Sequence, residues 1–175
     1  MDAGQEVLAT YDPRWPIMYE EEKTKILAVT DKAVAIEHIG STSIPGSRAK
    51  PVIDILVGIR HLADVEECIE PLHTIGYEYR PGNKQLIPNT EYFRKGPSGA
   101  NTHHLRMVEA ESDLWQQYTL FRDYLRMHPD EAQRYERLKV EAYERHGRYL
   151  PLEAKKNFIE SIIAKARSEG TSSPK

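Results

Sequence analysis

Two apolar runs joined by a glycine- and hydroxyl-rich loop fix the middle of this chain. The stretch reads Ile36-Glu37-His38-Ile39-Gly40-Ser41-Thr42-Ser43-Ile44-Pro45-Gly46 and continues through Lys50-Pro51-Val52-Ile53-Asp54-Ile55-Leu56-Val57. β-Branched, apolar residues on both sides predict strands over Ala33–Ile39 and Val52–Ile59, with Gly40, Pro45, Gly46 and Pro51 punctuating the loop. Both runs are apolar enough to predict central positions in a sheet covered on at least one face. Gly40 lets the backbone approach a ligand closely, and three hydroxyls (Ser41, Thr42, Ser43) follow it. Loops of this kind turn N–H groups toward an anion, most often a phosphate. Asp54 interrupts the second run, where an unpaired charge is costly, so it calls for a partner or a metal.

The remaining elements are legible from periodicity and punctuation. A helix over Pro16–Val29 opens on proline, with Trp15 as its core anchor. A second helix over Leu62–Ile75 carries Leu62, Val65, Ile69 and Leu72 at helical spacing and stops at Gly76. Tyr77–Arg80 is β-prone and Pro81-Gly82-Asn83 turns the chain. Glu91–Lys95 and Thr102–Val108 predict a hairpin, and helices follow over Ser112–Met127, Pro129–His146 and Leu152–Ser168. Residues 1–10 and 168–175 are expected to be loosely held. This order, strands followed by helices, gives an α+β class. The 175 residues suit one domain, 1–175, with a core over about 11–167.

Composition excludes several function classes. A net charge of −3 argues against a broad non-specific nucleic-acid surface. The single cysteine, Cys68, excludes an internal disulfide and suits a reducing cytoplasm. No apolar run approaches the ~20 residues of a membrane span, and no signal peptide is legible, so a cytoplasmic protein without a membrane partner is expected.

The Glu-His-Ile-Gly-Ser-Thr-Ser-Ile-Pro-Gly and Lys-Pro-Val-Ile-Asp-Ile segments resemble those of the GrpB (UPF0157) family. So do Tyr11-Asp12-Pro13-Arg14-Trp15-Pro16, Phe93-Arg94-Lys95-Gly96 and Thr102-His103-His104-Leu105, in the same order. The resemblance runs from about Tyr11 to Ile163. It implies a nucleotidyltransferase-like mixed β-sheet with flanking helices and a C-terminal helical segment. Some members of the family are fused to dephospho-CoA kinase, and most have no assigned reaction.

Carboxylates that hold Mg²⁺ are the usual centre of nucleotidyl transfer. The superfamily places a second acid two residues after the first, and here that position is Leu56. Asp54 is therefore expected either to bind one Mg²⁺ with help from Glu37, or to pair with Lys50, Arg94 or Arg106. Glu37 and His38 point to opposite faces of one strand, so only one of them can face Asp54. On the late strand, His104 and Arg106 share a face, a pairing suited to an anionic substrate and to general acid–base work. The resemblance implies histidine where Arg106 stands, so this chain has an anion clamp in place of a possible metal ligand. Gly40, Ser41, Thr42, Ser43, Lys50, Arg94 and Arg106 form the expected ligand-binding set. The family match over Ala154–Ile159 adds Lys156. Arg122 and Asp123 read as a helix-surface ion pair, with Arg122 reaching the cleft as the other reading. Ser41 and Ser43 have no nucleophile elbow around them and no base that sequence can pair with them.

Three functions follow. The first is a nucleotidyltransferase-like enzyme that binds a nucleotide or phosphorylated ligand on the Gly-Ser loop with Mg²⁺. It requires a second acid beside Asp54. The second is a metal-independent transferase, for which the resemblance admits an aminoacyl-tRNA substrate that the net charge does not favour. The third is a non-catalytic module that senses a nucleotide or CoA precursor.

Overall fold

The computed structural model describes residues 8–82, 87–147 and 150–170. Five strands, β1 (Ala35–Ile39), β2 (Ile53–Ile59), β3 (Tyr77–Tyr79), β4 (Glu91–Lys95) and β5 (His103–Glu109), form one mixed sheet in the order β1-β2-β5-β4-β3. Only β2 and β5 run parallel, and the other neighbouring pairs are antiparallel. The α+β class expected from the order of elements is the architecture found.

Alternation along the strands divides the helices between two faces. Ile53, Ile55, Val57, Leu105 and Met107 point to one face and pack with α1 (Trp15–Val29) and α2 (Glu66–Thr74) through Trp15, Tyr19, Ile26, Cys68 and Leu72. Ile39, Leu56 and Val108 point to the other and pack with Leu114, Trp115 and Tyr118 of α3 (Asp113–Met127). Behind α3 lie α4 (Pro129–His146) and α5 (Leu152–Ser168), joined to it by Tyr124, Leu125, Tyr135, Phe158 and Ile162. Local signals start these helices as expected. Pro16 and Pro129 open α1 and α4, and the Ser112 hydroxyl accepts the Trp115 N–H at 3.2 Å to cap α3.

Three expectations need correction. The strand β1 is at the sheet edge, not its centre. Its outward carbonyls are nonetheless satisfied: Ile36 O accepts from the Tyr19 hydroxyl at 2.9 Å and His38 O from Arg122 at 3.1 Å. Side chains have replaced a neighbouring strand, which is why an edge can carry so apolar a sequence. The predicted second helix begins as a 3₁₀ turn over Leu62–Val65 before becoming α-helical at Glu66. Lastly, Ala9 is not loosely held; it exchanges two backbone hydrogen bonds with Ala49, of 2.8 and 3.0 Å. Residues 1–7, Asn83 and residues 171–175 lie outside the described set.

Candidate functional site

A cavity of about 350 Å³ opens where the Gly40 loop, the C-terminal helices and the α3 face of the sheet meet, a volume suited to a small molecule. Its floor is Asp54 on β2 and His104 and Arg106 on β5, its loop wall Gly40, Ser41, Thr42 and Lys50. Tyr118 and Phe121 enter from α3, Tyr135 and Lys139 from α4, and Lys155 from α5.

Asp54 and His104 are direct partners in the parallel register, so their side chains emerge together, and Nδ1 of His104 stands 3.3 Å from Oδ1 of Asp54. On its other side the imidazole meets Asn101, with Nδ2 at 3.4 Å from Nε2. The ring sits between two partners, which suits it to orient the carboxylate. Protein surrounds Asp54, yet 34% of its side chain remains open to the cavity. Burial pushes its carboxyl pKa up, but the His104 hydrogen bond and the charges of His104, Lys155 and Arg106 outweigh that and leave it below the ordinary carboxylate value. The carboxylate lies against the backbone of Gly40, where a Cβ would fall 2.3 Å from Oδ2.

Besides Lys50 in the loop wall, the cavity cations come from three elements. Nη1 of Arg106 is buried without a hydrogen-bond partner, while its guanidinium stacks 5.0 Å over the Tyr92 ring. Lys139 donates to the Ser41 hydroxyl at 2.7 Å and to Arg48 O at 3.0 Å. Burial lowers the Lys139 pKa to about 8, with Glu136 opposing. The Lys155 pKa is also lowered, by burial first, with Arg106 adding to this and Asp54 opposing it.

The expected residues divide into two groups. Asp54, His104, Gly40, Ser41, Thr42, Lys50 and Arg106 line one cavity. Four others lie outside its lining. Glu37 accepts from Arg122 at 2.6 Å. Ser43 turns its hydroxyl back to Gly40 O at 2.5 Å. Arg94 pairs with Glu78 at 3.1 Å, and Lys156 stands on the solvent face of α5 beside Glu160 at 3.9 Å. Arg122 is neither a surface residue nor a cleft residue. It is 6% exposed and bridges Glu37, Asp123 and His38 O. Sequence reasoning missed Lys139, Lys155, Tyr118, Tyr135 and Asn101.

This donor set does not fit a Mg²⁺ clamp, which needs oxygen ligands in octahedral array. Asp54 is the one carboxylate among the described cavity residues, its Oδ1 faces His104, and four cations, Lys50, Arg106, Lys139 and Lys155, share the space. Among the described residues no group of three His, Cys, Asp or Glu is placed to hold a metal. Nor, among them, is any helix long and apolar enough to cross a membrane.

The pattern of the GrpB protein family matches residues 6–165, nearly the whole chain. The chain belongs to the GrpB family. It is 34% identical to the glutamate-rich protein GrpB of Alkalihalophilus pseudofirmus over 170 residues, covering 93% of this chain and 97% of that one. It is 38% identical to the UPF0157 protein YqkA of Bacillus subtilis over 137 residues, covering 78% of this chain and 39% of that relative, which extends well beyond the match. A crystal structure of the conserved protein GrpB from Enterococcus faecalis superposes with a TM-score of 0.82 at 31% identity, covering 93% of this chain and 98% of that one. The GrpB fold is thus shared along almost the full length of the chain.

Proposed function

We propose that the cavity binds a phosphorylated small molecule of nucleotide size and serves a transferase that works without a built-in metal clamp. The observation that carries this reading is the convergence of Arg106, Lys139 and Lys155 on a cavity whose one described carboxylate is Asp54. Guanidinium and ammonium groups are natural partners of phosphate, and Arg106, whose Nη1 has no partner within the protein, lines the cavity. Tyr118, Phe121 and Tyr135 supply apolar, aromatic wall for a base or other flat group. Asp54, held ionised and oriented by His104, takes the amine or hydroxyl of an acceptor. That last feature favours a transferase over a passive sensor.

The nucleotidyltransferase-like expectation keeps its phosphate loop at Gly40–Thr42 in this reading, and the cations stand where a metal would otherwise neutralise charge. Titration calorimetry with nucleotides and phosphorylated CoA precursors, with Mg²⁺ or with EDTA, tests it. Binding should occur in EDTA and weaken about tenfold or more in Arg106→Ala, as expected for one lost charge-assisted hydrogen bond of roughly 1.5–3 kcal/mol. Absence of binding by every phosphorylated compound, or binding that requires Mg²⁺ and vanishes in Asp54→Ala, would overturn it.

A further inference from the structure

We propose that Ser41 is a covalent nucleophile activated by Lys139, and that its substrates are acyl phosphates, including acyl-nucleotide mixed anhydrides. The inference rests on the phosphorylated-ligand reading of the cavity and adds a reaction to it. Of the three loop hydroxyls, Thr42 donates to Val52 O at 3.4 Å and Ser43 to Gly40 O at 2.5 Å. Ser41 and Thr42 both line the cavity, but Ser41 alone of the three has its Oγ 2.7 Å from the Lys139 nitrogen, a base that sequence could not supply because 98 residues separate the two.

Helix α4 holds this pair in place. Glu136 Oε2 accepts the Arg48 N–H at 3.0 Å and Lys139 donates to the Arg48 carbonyl at 3.0 Å, so one helix turn grips the loop at both backbone groups. A neutral amine can spend one N–H on Arg48 O and offer its lone pair to the Ser41 hydroxyl. The groups facing it are Glu136 and the Tyr135 ring from α4, Lys155 from α5 and Asp54 from β2. With a pKa near 8, roughly a tenth of this amine is neutral at pH 7.

In the proposed step the Ser41 oxygen attacks the acyl carbon as its proton passes to Lys139. The bond from that carbon to the bridging oxygen breaks, and phosphate leaves with the electron pair, held by Arg106 and Lys155. The acyl-Ser41 ester is then taken by water or an amine, whose proton is lost to Asp54, while Ser41 regains its own from Lys139. Acyl transfer is favoured over phosphorylation of Ser41 because phosphoryl transfer leans on metal ions for which this donor set is unsuited.

The test is incubation with acetyl phosphate, followed by peptide mass spectrometry of the wild type, Ser41→Ala, Lys139→Met and Lys139→Arg. The arginine variant retains charge and the grip on Arg48 without acting as a base, and a cooperative thermal melt confirms that each variant folds. One acetyl group on Ser41 is expected, formed at a rate that rises with pH through about 8 and lost in both Lys139 variants. Acetylation of Lys139 in place of Ser41, a phosphoryl group on Ser41, or an unmodified Ser41 overturns the proposal. If calorimetry still shows phosphorylated ligands binding, only the nucleophile fails; if it shows none, the reading of the cavity fails with it.

Discussion

Gly40 and Asp54 occupy adjoining space that leaves no room for a side chain at position 40. A Cβ there would lie 2.3 Å from Oδ2 of Asp54, and the Gly40 backbone, at φ 75° and ψ −178°, is in a region that is essentially glycine's alone. The loop that brings Ser41 to the cavity therefore requires glycine at position 40. Gly40→Ala should cost about 1–3 kcal/mol of backbone strain and also displace Asp54. Denaturant midpoints together with ligand titration check this; a variant of native stability and affinity would contradict it.

Arg122 gives a prediction that leaves the cavity lining untouched. Its guanidinium lies between Glu37 and Asp123 and also donates to the edge carbonyl of His38. Removing one member of a buried ionic cluster strands the others. Arg122→Ala should destabilise by about 3 kcal/mol, the low end for buried pairs because Glu37 is 41% exposed. Urea unfolding would show it as a lower midpoint at an unchanged slope. A loss below about 1 kcal/mol would reclassify the cluster as an ordinary surface pair.

The two adjacent lysines of α5 should behave differently. Lys155 lines the cavity and Lys156 does not. Lys155→Ala should weaken a phosphorylated ligand by about tenfold or more, for one charged contact of roughly 1.5–3 kcal/mol. Lys156→Ala should leave affinity and stability within the small effects of surface sites. Equal losses from the two variants would show that general charge, not the cavity, attracts the ligand.

Stability should fall as pH drops below neutral, before carboxylates titrate. Burial pushes the pKa of His38 from 6.5 down to about 4, while its ring stacks on Tyr19 and meets Thr42 Oγ1 at 2.9 Å. Because the folded pKa is the lower one, the unfolded chain binds the proton first. The contribution is complete above about 6.5 and is lost as pH falls toward 4, amounting to about 3 kcal/mol. His103, lowered chiefly by burial, acts in the same direction. Glu22 extends the loss below the ordinary glutamate value. Burial raises its pKa, but Lys95 and His103 outweigh burial and hold it low. Chemical unfolding between pH 7.5 and 5 should show the slope, and His38→Gln should flatten it; an unchanged slope in that variant would exclude His38 as its source.

How much of this was legible in sequence depends on the range of the interaction. The helices over Pro129–His146 and Leu152–Ser168 read correctly because proline, glycine and the 3.6-residue period act within one segment. Lys155 was legible too, though missed. It stands three and four residues before Phe158 and Ile159 on the inward stripe, whereas Lys156 shares the outer face with Glu160. Lys139 likewise interrupts the stripe of Ala132, Tyr135 and Ala142, a phase that marks a lysine turned inward.

Local propensity and alternation were enough to read most of the elements, the α+β class and the Gly40–Asp54 segment that lines the cavity. The partners came from packing between elements. It placed β1 at an edge by covering Ile36 and His38 with Tyr19 and Arg122, and engaged Glu37 with Arg122 outside the cavity lining. It set His104 beside Asp54 through strand register and brought Lys139 to Ser41 across 98 residues. Those pairings depend on how separate elements pack, and a charge carries no mark in the sequence of which distant charge it will meet.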